Sequence, residues 1–320
     1  MQQLNNSSSS ASVAVPIANQ LSSGVLGLCF LFGIPANVTV VVMILRNFKR
    51  DNFTLQLMLN LAASDILCLI TLPLWIHSLL AGWTFSQGVC KALCVLVYIS
   101  LYSSVMTVTL MSVQRYFAVL YSRQWARLGR GGERALLCSL WILAAILSSP
   151  AAVIRSVRKG ALAHSCEESF SSDGQRVAVN LCETLLGFVT PFTILVTSYC
   201  CLHKKVYATA FFSNKRLTRL VTNIIVTFFI LWVPVHVVNT VEMVAVILKP
   251  SHAGVSKQLL AFCSIAENIV GSLSFINSCV NPLLYAFASQ KLSNSTEDAM
   301  QGERDFVMQV RDCAMQTYAV

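Results

Sequence analysis

The stretch from Cys90 to Tyr116, CKALCVLVYISLYSSVMTVTLMSVQRY, constrains this chain more than any other. After Lys91 it carries no charge until Arg115. At ~1.5 Å of rise per residue, a helix from Cys90 to Arg115 spans about 37 Å, and the hydrocarbon core of a bilayer is about 30 Å thick. One helix here sets a cysteine at one membrane face and an arginine at the other. A buried helix of a large soluble protein would look the same in isolation. Other segments, however, repeat its length and polarity.

Those segments are Ile17–Leu45, Phe53–Leu80, Ala135–Ile154, Val177–Leu202, Leu220–Val241 and Gln258–Gln290. Their only charged side chains are Asp65, Glu183 and Glu267. The chain is 12% charged, where a soluble domain carries roughly a quarter. The predicted fold is an all-α seven-transmembrane helix bundle over residues 17–290. It is preceded by an extracellular segment, 1–16, and followed by a cytoplasmic tail, 291–320, that opens with a short amphipathic helix. Asn5 and Asn6 each begin a glycosylation sequon in the outer segment. The first apolar run is too long for a signal core and is followed by Arg46, Lys49 and Arg50, which places the amino terminus outside. On that topology 16 of the 23 Lys and Arg face inward. The net charge of +9 therefore reports orientation and anionic lipid headgroups, and does not require nucleic acid. The predicted location is the plasma membrane, crossed several times.

Polar groups inside hydrocarbon are costly and mark candidate sites. Counting residues from the inner ends puts Asp65, Ser104, Asn281, Asn277 and Asn37 in one layer about 13–21 Å deep. Their oxygens suit a small hard cation with water. A hydrogen-bonded polar knot with no ion fits equally. Nearer the outside lie Arg155, Glu183, His236, Asn239 and Glu267, with Tyr98, Tyr102 and Trp75 as aromatic neighbours. They read either as an amphipathic cavity open outward or as hydrogen bonds between helices. Pro73, Pro150, Pro191, Pro234 and Pro282 fall in five different spans and serve as hinges or as passive bends. Cys90 and Cys166 are both on the oxidising side, and no other cysteine lies in the outer loops. A bridge between them would pin the loop after the fourth span.

Taken together these residues resemble a rhodopsin-like (class A) G-protein-coupled receptor. The carriers are Asn37 in GIPANV, Leu61-Ala62-Ala63-Ser64-Asp65, Cys90, Gln114-Arg115-Tyr116 and Trp141. To these add Pro191 with Tyr199, Phe228 through Pro234 (FFILWVP), and Asn281-Pro282-Leu283-Leu284-Tyr285. Within the class the chain is similar to leukotriene B4 receptors. That likeness rests on Pro234 to Asn239 (PVHVVN), Arg155 after Pro150, Glu183 eight residues before Pro191, Ser100-Leu101-Tyr102, and Phe275 to Pro282 (FINSCVNP).

The resemblance implies a lipid agonist whose hydroxyls and carboxylate meet Arg155, Glu183, His236 and Asn239. It also implies a switch built of Trp232, Pro234, Phe228, Arg115, Tyr199 and Tyr285 that admits a heterotrimeric G protein. Allosteric Na⁺ at Asp65 is the one ion it suggests; no other cofactor and no other metal is expected. Receptor kinase and arrestin are expected at Ser293, Ser295 and Thr296, and Tyr318-Ala319-Val320 could join a PDZ domain or simply be tail. Two departures stand out. Gln114 and Asn214 replace customary carboxylates near Arg115, which predicts raised basal signalling. Glu267 stands where an acid-binding leukotriene receptor is expected to carry arginine, and would repel an acid or pair with Arg155 or Lys257.

Two alternatives differ in kind. A receptor for a chemoattractant peptide shares this scaffold. A transporter would show internal repeats and broken helices about a midplane site, and neither is found. A retinal pump needs a lysine in the seventh span, and none lies between Lys257 and Lys291. No motif for catalysis is present, so the chain is not read as an enzyme. Cys200-Cys201 with His203 reads as packing or an acylation site before it reads as a metal site.

Overall fold

The computed structural model describes residues 2–46, 52–160, 164–208 and 215–282. Seven helices are long and apolar enough to cross a membrane: span 1 (Ile17–Arg46), span 2 (Phe53–Ala81), span 3 (Gln87–Ala118), span 4 (Ser122–Ile154), span 5 (Asp173–Leu202), span 6 (Phe229–Leu248) and span 7 (Ala253–Pro282). Span 3 is the most buried of the seven. It packs against spans 2, 4 and 5. Small polar residues let it sit there: Ser100, Ser103, Ser104 and Thr107 are all buried, and small side chains allow close helix approach in a membrane.

These hydroxyls are all engaged in hydrogen bonds. Ser100 and Thr107 donate to the Leu96 and Ser103 carbonyls one turn back. Ser103 Oγ pairs with Ser64 Oγ of span 2 at 2.8 Å. Asn60 Nδ2 donates to Thr107 Oγ1, and the indole of Trp141 donates to Asn60 Oδ1 at 2.8 Å. Spans 2, 3 and 4 are thus joined by one polar seam. Gly33 does similar work without polarity. A Cβ there would fall 2.6 Å from Leu69 and 2.7 Å from Cys279, so span 1 can lie against spans 2 and 7 only as glycine.

Several boundaries differ from those read in the sequence. The first helix begins at Gln2, so residues 2–16 continue span 1. Extending a nucleated helix through an uncharged stretch costs little per residue. Span 4 begins at Ser122 rather than Ala135, with a break at Gly129, whose φ of 57° favours glycine. Its basic first half is a polar extension on the inner side, invisible to a hydropathy count. The helix of span 6 runs Lys215–Leu248, a longer stretch than Leu220–Val241. Span 7 starts at Ala253. The expectations for Asn214, Tyr285 and the whole tail lie outside the described residues, and so does the side chain of Phe228.

Proline acts differently from span to span. Span 2 breaks between Leu69 and Leu72, ahead of Pro73, and Thr71 Oγ1 donates to the Cys68 carbonyl at 2.7 Å. Span 5 loosens into a π-helix over Glu183–Val189, just before Pro191. Proline lacks the amide that the Gly187 carbonyl would need, and a wider turn absorbs the mismatch. Spans 4 and 6 stay helical through Pro150 and Pro234.

Between spans 4 and 5 lies a hairpin of β1 (Arg155–Lys159) and β2 (His164–Glu168), paired antiparallel with Arg155 opposite Glu168. A disulfide joins Cys90 to Cys166, as the sequence predicts. Gln87 holds β1 by two further bonds, to the Arg155 carbonyl and from the Val157 amide. The Trp83 amide donates to the His164 carbonyl at 2.7 Å.

Candidate functional site

The described polar side chains fall into an inner layer and an outer cluster. In the inner layer Asp65 is fully buried. Ser104 donates to its Oδ1 at 2.5 Å and Asn281 to its Oδ2 at 2.8 Å. The depth count therefore brings spans 2, 3 and 7 together on one carboxylate. Asn37 takes a different part. Its amide donates to the carbonyls of Gly33 and Ser278 at 3.0 and 2.9 Å, tying span 1 to span 7 beside the layer. Asn277 is buried at the same level. The donor set is all oxygen, which suits a hard cation such as Na⁺. Among the described residues no group of three or more His, Cys, Asp or Glu is placed to hold a metal ion.

The outer cluster is built around Arg155, at the end of span 4. Its guanidinium pairs with Glu168 at 2.6 Å and donates to the Tyr98 hydroxyl at 3.4 Å. Burial works against this charge, but Glu168 and then Tyr98 outweigh it and raise the pKa above an arginine's ordinary value. Arg155 is thus a permanent cation. Tyr98 and Tyr102 lie 6.2 Å apart, ring centre to ring centre. A Cβ on Gly187 would fall 2.9 Å from the Tyr102 ring, so glycine at this position of span 5 is what gives Tyr102 its room.

His236 is sandwiched. Its ring stacks on Phe188 at 4.7 Å and on Trp232, one turn down, at 6.0 Å. Its Nδ1 faces Thr184 Oγ1 at 3.4 Å. Trp232 in turn packs with Cys68, Val97, Leu101 and Val105, and Trp75 and Phe275 flank that group. Asn239 lies beside Glu183. Among the described residues, several buried polar atoms here make no hydrogen bond of regular geometry: Arg155 Nε, His236 Nε2, Asn239 Nδ2 and Trp75 Nε1. Such atoms are uncommon in native interiors, and four fall among the eight outer residues singled out from the sequence.

Glu267 does not pair with Arg155 or Lys257; among the described residues it forms no salt bridge. Arg155 is taken instead by Glu168, which sequence reasoning missed. The signal was available, since a bridge at Cys166 brings the next residues of the loop back over the end of span 4. Glu242 was missed too. It pairs with Arg176 at 3.1 Å and accepts from Asn180 at 2.6 Å. It stands three residues after Asn239, on the same helical face. With Lys249–Asp173 at 2.7 Å, these contacts tie the outer ends of spans 5 and 6.

Two apolar grooves lie elsewhere, one of about 450 Å³ between spans 3 and 4 and one of about 300 Å³ where spans 3, 4 and 5 meet. Met106, Leu110 and Leu143 line both. Hydroxyls there are turned to their own helices: Ser139 bonds the Leu136 carbonyl and Thr109 the Val105 carbonyl. The lining of these grooves carries no charged side chain, whereas the outer cluster gathers charged and polar ones. At the inner end Arg115 and Tyr199 are half-buried, and Thr54 Oγ1 contacts Gln114 Oε1 at 3.4 Å.

This architecture is that of a seven-helix receptor, and comparison with known proteins agrees. Residues 36–285 match the 7 transmembrane receptor (rhodopsin family) profile, and the chain belongs to that family of G-protein-coupled receptors, multi-pass proteins typical of the plasma membrane. Human leukotriene B4 receptor 1 is 34% identical over 301 residues, covering 91% of this chain and 84% of the relative. The rat leukotriene B4 receptor 1 is 33% identical over 299 residues, 91% of this chain and 83% of the relative. The zebrafish C3a anaphylatoxin chemotactic receptor is 30% identical over 277 residues, 84% of this chain and 72% of the relative. Family and relatives are receptors, not enzymes.

Proposed function

We propose that this receptor takes a hydroxylated fatty acid of the leukotriene B4 type from outside the cell and activates a heterotrimeric G protein. The observation that carries the reading is the set of buried polar atoms on Arg155, His236 and Asn239 that make no hydrogen bond of regular geometry among the described residues, set among aromatic rings above Trp232. A carboxylate suits Arg155, hydroxyls suit His236, Asn239 and Glu183, and a polyene suits the walls of Tyr98, Tyr102, Phe188 and Trp75. Two leukotriene B4 receptors among the relatives support it.

The mechanism follows from what is tied and what is not. The outer ends of spans 5 and 6 are clamped by Glu242 with Arg176 and Asn180. Ligand pressing on His236 reaches Trp232 by direct stacking. Pro234 lies between them and weakens the helix there. The inner end of span 6 then swings outward, Arg115, Tyr199 and Tyr285 rearrange, and the G protein enters. Agonist acts by its differential affinity for that open state. Na⁺ held by Asp65, Ser104 and Asn277 would favour the closed one. Receptor kinase and arrestin are proposed to act on the tail.

One observation favours a second reading. Four carboxylates gather at the outer side, Glu168, Glu183, Glu242 and Glu267, against two cations, Arg155 and Arg176. A chemoattractant peptide with a basic end suits that excess better than an acid does. Transfected cells given leukotriene B4, related hydroxy-acids, formyl peptides and basic-ended peptides, with calcium and cAMP read in parallel, separate the two. Nanomolar response to the hydroxy-acid is expected; response to peptide alone overturns the lipid reading.

A further inference from the structure

Cys94 stands one helical turn below Cys90 on span 3, and its Sγ lies 3.9 Å from Cys166 Sγ. Cys166 is already bonded to Cys90, while Cys94 is a buried free thiol. Three sulfurs therefore meet at the root of the hairpin, two joined and one not. A spare thiol in contact with a disulfide has the arrangement that exchange requires.

We propose that Cys94 is a second bonding partner for Cys166, exchanging the Cys90–Cys166 bridge for a Cys94–Cys166 bridge. The thiolate of Cys94 attacks Cys166 Sγ. The bond between Cys90 and Cys166 breaks, and its electron pair leaves on Cys90 Sγ. Cys90 then takes up a proton in place of the one Cys94 lost. One disulfide and one thiol stand on each side of the step, so no oxidant or reductant is needed. Arg155 and Glu168 are the charged groups that face Cys94. Arg155 is the cation able to attract a developing thiolate, and Glu168 is the anion that already engages it. Exchange is therefore slow, and its rate depends on how firmly Glu168 holds Arg155.

The consequence is geometric. The two Sγ atoms stand 3.9 Å apart and a disulfide bond is about 2.0 Å long, so the second bridge draws Cys166 Sγ about 2 Å toward Cys94, one helical turn deeper on span 3. Glu168 lies two residues beyond Cys166, and Tyr98 lies one turn below Cys94. The hairpin would be lowered onto Tyr98 and Arg155. The two bridge isomers set two depths for the cover of the outer cluster, whatever ligand that cluster takes.

Disulfide mapping tests this on the full-length receptor in cell membranes. Thiols are trapped by acid quench, then alkylated under denaturing conditions, and the bridged peptides are identified by mass spectrometry. Wild type should give a major Cys90–Cys166 species with Cys94 alkylated and a minor Cys94–Cys166 species with Cys90 alkylated. Cys94→Ser should lose the minor species. In Cys90→Ala, Cys94–Cys166 should become the major bridge, with surface expression above that of Cys90→Ala/Cys94→Ala. Wild type in which Cys94 is alkylated in every molecule overturns the proposal, and does so even if Cys90→Ala never reaches the surface. Both thiols free in a surface-expressed Cys90→Ala overturns it independently.

Discussion

Asp65, fully buried, and Arg155, half-buried, are both ionisable side chains, and the bundle treats them in opposite ways. Asp65 receives a donor on each oxygen, from Ser104 and Asn281. Around Arg155 the hydrogen bonding is incomplete: among the described residues its own Nε, His236 Nε2 and Asn239 Nδ2 are buried and make no hydrogen bond of regular geometry. A buried polar group without a partner costs about 1–3 kcal/mol. The Asp65 carboxylate is therefore already served by the protein, although the Ser278 hydroxyl beside it is buried without a regular partner among the described residues. The outer cluster holds an uncompensated cost that hydroxyls and an acid can relieve. On the proposed function, affinity would belong to the outer region and coupling to the inner one.

The largest test removes the outer cation. Arg155→Ala leaves the half-buried Glu168 without its partner and takes away the acid's counter-charge. Potency for an acidic lipid should fall about 100-fold, near 3 kcal/mol, in calcium dose-response corrected for surface expression. The same assay on Asp65→Asn should show potency within a few-fold of wild type. Equal losses in both would erase the contrast between the regions.

Gly187→Ala probes the geometry that shapes the outer cluster. Its Cβ would meet the Tyr102 ring at 2.9 Å, and overpacking of this kind costs about 1–3 kcal/mol. A lower melting temperature of the solubilised receptor is expected. Gly187→Ala/Tyr102→Leu should recover most of it, because the clash is with that ring alone.

Asp65→Asn sharpens the other side. In wild type, raising Na⁺ should lower agonist affinity about fivefold. In the variant the ratio should approach one, with unliganded stability little changed because asparagine can still accept from Ser104. Sodium sensitivity that survives in Asp65→Asn would leave the layer as a hydrogen-bonded knot.

Depth was legible in the sequence, and rotation was not. A helix rises evenly, so counting from the nearest charge puts Asp65, Ser104 and Asn281 at one level. Which way each side chain turns depends on packing between helices. Asn37 shows this: it reaches the layer's depth and then bonds the Ser278 carbonyl instead of Asp65. The bridge to Cys166 followed from compartment alone. The partner it delivers to Arg155 did not, because the register of β1 against β2 depends on a turn with no apolar period. Glu242 and Arg176 escaped for a related reason. Both sit near span ends, where a charge reads as an ordinary boundary until its partner across the gap is known.

The smallest effect concerns the inner mouth, where the sequence departs from its class. Gln114 replaces a carboxylate next to Arg115, and its side chain contacts Thr54 of span 2 at 3.4 Å. Gln114→Glu adds a charge beside the arginine and keeps the shape. An ion pair between two half-buried side chains such as these is worth about 1 kcal/mol, which corresponds to a drop in ligand-free signalling of about fivefold. Basal cAMP or calcium at matched surface expression reads it directly. Agonist affinity should fall slightly along with it, since a ligand that prefers the open state must then work against a better-held closed one. A fall in basal signalling with unchanged affinity would mean that the introduced carboxylate acts on G-protein contact, leaving the balance between the two receptor states where it was.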